Sequence, residues 1–347
     1  MSLAPARGAQ DQACEPDNGG SFDAMRFIPL DTPKPLSKIG LGTWQFGSRE
    51  WGYGPAFEAQ ATQIVRRAVE LGVTVFDSAE IYGFGRSERI LGAALGDDRP
   101  KVVIATKIFP MLPVAAVVQQ RAVASAARLG VSSIDLYQVH QPNPLVADHT
   151  TMRGMRVLQD VGLVSEVGVS NYGLRRWQVA EAALGRRVLS NQVRYSMLDR
   201  APEQELLPYA RDAGRVVIAY SPLAQGFLSG RYDAKNPPTG AVRRANPYFL
   251  PENLERGAVL IDTLRQVADA HDATPSQIAL AYLLRHPNVL AIPGASSVEQ
   301  MERNAAAADI DLADDEYAVL AEAAKRFRPV TGLAAMVRAR FASQTGK

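Results

Sequence analysis

The sequence predicts a single closed (β/α)8 barrel of the TIM type. It is an α/β fold with a β-hairpin ahead of the first strand and long loops at its carboxyl face. Three observations carry that expectation. Eight short runs rich in β-branched and aromatic residues recur along the chain, spaced by about 30 residues as successive βα units are. Amphipathic stretches lie between them, several closed by a glycine just before the next run. The first run lacks the GxGxxG of an open dinucleotide-binding sheet, since GLGTWQFG is a different pattern. The chain has 347 residues, enough for a barrel of about 250 residues with extra loops.

In order, residues 1–24 hold no apolar signal core and are rich in Gly, Asp and Ala. They read as a disordered tail rather than a secretion signal, with Met25 a candidate start. Arg26–Leu30 and Pro35–Ile39 flank a DTPK turn and predict the hairpin. The strand runs are IGLGTW (39–44), VTVFDS (73–78), KVVIATKIF (101–109), SIDLYQVH (133–140), LVSEVGVSN (163–171), VLSNQVRYS (188–196), RVVIAYS (215–221) and VLAIPGA (289–295). Ile64, Val65, Ala68 and Val69 form one helical face. Gly72, Gly130, Gly162, Gly185 and Gly214 stop helices. Between Ser221 and Val289 the rhythm breaks. AQGFLSGRYDAKNPPTGAVRRANPYF reads as a loop over the barrel mouth, a candidate lid. Helices are expected over Gly257–Asp269 and Thr274–Arg285, the second opened by Thr-Pro-Ser-Gln. The barrel domain is thus expected over 25–330, with 331–347 a C-terminal tail of patchy periodicity.

Charge and composition narrow the function. A formal charge of +2 without basic runs argues against nucleic acid. Cys14 is the sole cysteine, which excludes intrachain disulfides and cysteine zinc sites and fits a reducing, cytoplasmic setting. No run reaches the length of a membrane span. The four histidines lack metal-binding spacing, so no metal is expected.

Active sites of such barrels lie at the carboxyl ends of the strands. Here those ends carry Trp44, Asp77, Lys107, His140, Ser170 with Asn171, Gln192, Tyr220 with Ser221, and Gly294. Tyr82 follows Asp77 in a loop closed by Gly83 and Gly85. Each residue alone has an ordinary structural role open to it: a cap, a strand-end lysine, a buried histidine. Together at one mouth they point to chemistry. An ammonium about 4 Å from a phenol favours the phenolate by roughly 4 kcal/mol at an effective dielectric of about 20, which draws the phenol pKa toward neutrality. Asp77 would hold Lys107, and His140 would donate to a carbonyl oxygen beside Tyr82. The set suits protonation of a carbonyl that receives a hydride. No side chain supplies hydride, so a nicotinamide is implied.

These stretches together resemble the aldo-keto reductase superfamily over about 300 residues, to roughly Phe327. They are GLGTWQFG, FDSAEIYGFGRSERILG, ATKI, DLYQVHQP, GVSNY, SNQVRYS, AYSPLAQGFLSG and IPGASSVEQMERN. SPLAQG and IPGASS are similar to the bacterial and potassium-channel-β-subunit-like branch. The resemblance implies a catalytic tetrad of Asp77, Tyr82, Lys107 and His140, with Tyr82 the general acid in reduction. It implies NADP as cofactor, with NAD possible. Gly42, Thr43 and Trp44 would border the cofactor. Ser170, Asn171 and Gln192 would hold its carboxamide, and Tyr220 would stack on the nicotinamide ring. Ser221, Leu223, Gln225 and Gly226 would follow the pyrophosphate. Gly294, Ala295, Ser296, Ser297, Gln300 and Asn304 would hold the adenosine end. Ser296 and Ser297 stand where many members have Lys or Arg for the 2′-phosphate, which predicts weaker discrimination against NADH. Arg303 stands close by in sequence.

The expected function is therefore reduction of aldehydes and ketones to alcohols, with a small-molecule carbonyl as partner. Trp44, Trp51, Phe84 and Phe109, with His140, are candidates for the substrate pocket and suit aromatic or medium-chain carbonyls. One alternative is a cofactor-binding regulatory subunit with little turnover. Another is a barrel hydrolase using Asp77 and Glu80, which lie too close in the chain to flank a scissile bond in the usual way.

Overall fold

The computed structural model describes residues 25–47 and 57–345. The expected N-terminal tail and Trp51 lie outside the described residues. Eight parallel strands stand in chain order in one sheet. They are β1 (Leu41–Gly42), β2 (Val75–Asp77), β3 (Val103–Ile108), β4 (Ile134–Val139), β5 (Val164–Ser170), β6 (Ser190–Arg194), β7 (Val216–Tyr220) and β8 (Val289–Ala291). Bridges Ile39–Ala291 and Gly42–Gly294 join the first strand to the last, giving a TIM-barrel-like α/β fold.

The helices in order are α1 (Trp44–Gly47), α2 (Phe57–Glu70), α3 (Arg86–Leu95), α4 (Ala115–Leu129), α5 (Asp148–Asp160), α6 (Leu174–Leu184) and α7 (Leu206–Asp212). They continue with α8 (Ala241–Arg244), α9 (Pro251–Ala270), α10 (Pro275–Leu284), α11 (Val298–Ala306), α12 (Asp314–Arg326) and α13 (Leu333–Thr345). The five glycines expected to stop helices all have left-handed backbone, with φ from 63° to 77°. That conformation releases the chain toward the next strand at no Cβ penalty.

Strand alternation decides what points where. In β3, Val103 and Ala105 belong to the barrel interior, while Ile104 and Ile108 pack against the helices. The inward positions then change character along each strand. Val75 is followed two residues on by Asp77, Ala105 by Lys107, Leu136 by Gln138 and Ile218 by Tyr220. The lower interior is thus apolar, and a polar set sits at the carboxyl end. Ile28 and Leu36 join the interior cluster, beside the start of β2, where the Ser37 amide donates to Thr74 Oγ1 at 2.9 Å.

The expected N-terminal hairpin does not develop into strands. It is reduced to one antiparallel bridge, Phe27–Ser37, with Ile28 N–H donating to the Leu36 carbonyl and Lys38 N–H to that of Arg26, both at 2.8 Å. Pro33 and Pro35 lack the donors a longer ladder needs.

Between β7 and β8 the expected mouth loop contains the turn Ala224–Ser229, α8 and the turn Pro247–Phe249. Helix α9 begins at Pro251, six residues before the expected Gly257. Helix α10 starts with a Thr274–Gln277 capping box. The C-terminal stretch differs from the expected tail. It forms α13, whose Ala335 and Ala339 are buried with Leu250, and Arg338 Nη1 lies 2.7 Å from Glu252 Oε1. Among the described residues no helix is long and apolar enough to cross a membrane.

Candidate active site

Lys107 is the best-enclosed charge at the strand tips, with no exposed side-chain surface. Its Nζ donates to Asp77 Oδ1 at 2.5 Å and to the Ser78 carbonyl at 2.7 Å, and lies 3.4 Å from the Tyr82 hydroxyl. Asp77 is equally enclosed, and Oδ2 accepts from Gln192 Nε2 at 2.8 Å and more weakly from Gln138 at 3.4 Å. An unpartnered polar group at this depth would cost several kcal/mol, and the ammonium and the two amides are the partners that satisfy the Asp77 carboxyl oxygens. Burial works against the Lys107 charge. Asp77 and Tyr82 outweigh it and hold the ammonium above its usual pKa.

Tyr82 enters from the loop after β2. Gly83 has φ +56°, and a Cβ there would lie 2.1 Å from the Gly47 carbonyl oxygen. Only glycine lets this loop pass so close beneath α1. The Tyr82 ring meets His140 edge-on at 5.7 Å and Trp44 at 6.4 Å. Burial pushes the Tyr82 pKa above its ordinary value, against the opposing pull of Lys107. This corrects the expectation that Lys107 would draw it toward neutrality. His140 is pushed down to about 3 by burial and by Lys107, so its ring is neutral at physiological pH. His140 Nδ1 is buried with no hydrogen-bond partner among the described residues.

These groups open into a cleft of about 1230 Å³. Asp77, Tyr82, His140, Gly42, Thr43, Trp44, Ser170, Asn171, Gln192, Tyr220 and Ser221 line it, as do Leu223, Gln225, Gly226, Gly294, Ala295, Ser296, Gln300, Asn304 and Phe84. Asn171, at φ 61°, bridges two strand ends. Its Nδ2 donates to Ser170 Oγ at 2.9 Å, and Oδ1 accepts from the Tyr220 hydroxyl at 3.0 Å.

Three expected residues are absent from the cleft lining. Lys107 lies beneath the cleft. Ser297 caps α11, its hydroxyl accepting from the Gln300 amide. Phe109 is not on the cleft wall and sits edge-on behind His140 at 6.4 Å. The Ser296 hydroxyl donates to Gln300 Oε1 at 2.8 Å.

Sequence reasoning did not single out Arg194, Arg231, Tyr232 and Arg243, which also line the cleft, and left the direction of Arg303 open. A signal for Arg194 existed, since it lies two residues beyond Gln192 and shares its face of β6. The lid arginines carry no periodicity that would have marked them. Among the described residues the cleft has five arginines and one carboxylate, Asp77, already matched by Lys107. No group of three metal-ligating side chains occurs among the described residues.

A sequence profile of the Aldo/keto reductase family matches residues 38–325. The chain is 55% identical over 308 residues to an uncharacterized oxidoreductase of Mycobacterium tuberculosis, covering 88% of this chain and 95% of that protein. It is 31% identical over 327 residues to the NADH-specific methylglyoxal reductase of Escherichia coli, covering 87% and 99% respectively. Among solved structures it is similar to an aldo/keto reductase from Klebsiella pneumoniae in complex with NADP and acetate. That likeness has a TM-score of 0.70 at 30% identity, over 89% of this chain and 96% of that one.

Proposed function

The chain belongs to the aldo/keto reductase family, and from that premise we propose that it is an NADPH-dependent carbonyl reductase with Tyr82 as general acid. The observation that carries this reading is the Tyr82 hydroxyl standing 3.4 Å from a buried lysine ammonium at the floor of a cationic cleft. The cleft suits a dinucleotide. It exceeds an ordinary ligand pocket of about 300–1,000 Å³, its arginines match a polyanion, and it runs to the amino end of α11, where backbone amides favour phosphate. Asn171 and Gln192 offer amides for the carboxamide, and Tyr220 offers a ring face. NADPH, when bound, supplies the hydride.

The side chains do the rest. The raised pKa of Tyr82 keeps its proton in place until negative charge develops on the substrate oxygen. Lys107 then stabilises the phenolate left behind, and Asp77 fixes Lys107. His140, being neutral, donates one hydrogen bond to the carbonyl oxygen and brings no charge of its own.

Tyr82→Phe tests the assignment. The variant is expected to bind NADPH nearly as wild type does, by fluorescence titration, and to lose about 10²-fold or more in kcat for a simple aldehyde. A variant with near-native kcat would remove Tyr82 from the acid role.

A further inference from the structure

Glu80 and Glu88 bracket Tyr82 in the chain, and neither stands on the cleft lining. Both carboxylates turn outward, onto α4. Arg121 Nε donates to both Glu80 oxygens, at 2.9 and 2.7 Å, and Arg128 Nε donates to Glu88 Oε2 at 2.5 Å. The two arginines are i and i+7 on α4, so they share one face of that helix about two turns apart. A Cβ on Gly85 would lie 2.5 Å from Arg128 Cδ, which puts the arginine stem directly against the loop that carries Tyr82.

The same carboxylates reach β3 on either side of Lys107. Thr106 Oγ1 donates to Glu88 Oε1 at 2.6 Å, and the Phe109 amide donates to Glu80 Oε1 at 2.5 Å. The Glu80 amide in turn donates to the Lys107 carbonyl at 3.3 Å. One double clamp thus holds the loop of Tyr82 and the strand of Lys107 against a common helix. Only 6% of the Glu80 side chain is exposed, and none of the Glu88 side chain. Buried ion pairs add little net stability over apolar packing, so what such a pair supplies is a fixed geometry. Glu80 lies closest to the reacting groups. It is two residues from Tyr82, and its partner Phe109 stands edge-on behind His140 at 6.4 Å.

We infer that Glu80 and Arg121 are positioning residues for proton transfer: from behind the cleft they fix the Tyr82 hydroxyl relative to Lys107 and to the carbonyl oxygen that takes its proton. The inference rests on the carbonyl-reductase reading above. It gives Glu80, which touches no cleft-bound molecule, a role in the rate of the chemical step and none in cofactor affinity.

The test uses the full chain with NADPH and a simple aldehyde. Glu80→Ala removes both contacts, whereas Glu80→Gln keeps an acceptor for the Phe109 amide and for Arg121. Arg121→Met removes the partner whose side chain is 34% exposed, the end of the pair where a substitution disturbs packing least. Glu80→Ala is expected to lose about tenfold or more in kcat while its NADPH Kd stays within about twofold of wild type. Glu80→Gln should return to within about threefold. The solvent deuterium isotope effect on kcat should rise in Glu80→Ala, because proton transfer from a displaced phenol becomes the slow step. In the double variant Glu80→Ala/Arg121→Met, kcat should fall no further than in Glu80→Ala, since the same clamp is already broken. A native kcat in Glu80→Ala, a loss shared equally with NADPH affinity, or a loss with an unchanged isotope effect overturns the inference and leaves the reductase reading intact. Should Glu80→Ala not fold, Arg121→Met decides by the same readings of kcat, Kd and isotope effect. A wild type that oxidises NADPH with no aldehyde tested would remove both readings together.

Discussion

Tyr82 sits between two opposing fields. Lys107 favours the phenolate and burial favours the phenol, and burial prevails. The Coulombic half of this balance was legible in the sequence, because strand tips that share one mouth bring the two groups together. The desolvation half was not, because depth below the cleft depends on the assembled fold. A pH dependence follows. In the proposed mechanism reduction uses the protonated phenol, so its rate should be flat across pH 6–8. In the same mechanism oxidation of an alcohol uses the phenolate, whose fraction grows about tenfold per pH unit while pH stays below the raised pKa of Tyr82. Initial oxidation rates should therefore climb from pH 7 to 9 without levelling. A plateau by pH 8 would show that the phenol is acidified after all.

Arg303 is the second residue whose placement changes an expectation. The sequence reading put weak NADPH discrimination on Ser296 and Ser297. In the structure those hydroxyls are engaged with Gln300, and Arg303 lines the same end of the cleft. A charge-assisted contact contributes about 1.5–3 kcal/mol. Arg303→Ala is therefore expected to weaken NADPH about tenfold or more and spare NADH, whereas Ser296→Arg should change the ratio little. Titrating both cofactors against the two variants decides it, and equal losses of NADPH and NADH in Arg303→Ala would exclude a role at the 2′-phosphate.

At the level of elements, the mouth segment and α13 form one unit. Arg243 Nε donates to the Gln225 carbonyl at 2.9 Å, and Asn246 Nδ2 to Gln225 Oε1 at 3.1 Å, so α8 is tied to the turn after β7. Helix α13 supports this unit through Leu250. Residues 224–249 should exchange amide hydrogen more slowly once NADPH is bound, because this segment supplies Gln225, Gly226, Arg231 and Arg243 to the cleft wall. Ending the chain at Val330 should raise exchange in that segment and speed NADPH release in stopped flow. Equal exchange with and without cofactor would mean the segment is no lid. Its position was readable from the broken βα rhythm and its Gly, Pro and Asn content. Helix α13 was not readable, because its burial rests on two alanines, Ala335 and Ala339, too few to print a periodic stripe.

Across the whole molecule, the legible part is what repetition encodes. Eight runs of alternating residues give the strands, and the inward switch from Val75 to Asp77 or Ala105 to Lys107 marks the end where the cleft lies. The arginines gathered from three separate segments were less legible, since no local pattern links Arg194, Arg243 and Arg303. Only barrel geometry brings them together.

The seam between β1 and β8 bears on how the chain is made. Strand β1 has two residues and β8 three, and their junction rests on residues some 250 positions apart, Ile39 with Ala291 and Gly42 with Gly294. A nascent chain leaving the ribosome can pair β1 through β7 in order, but its first strand keeps an open edge until β8 has emerged. Contacts of such sequence separation form late and slowly. An interval with an unpaired strand edge is therefore written into the topology, and that interval is when a chaperone has most to protect.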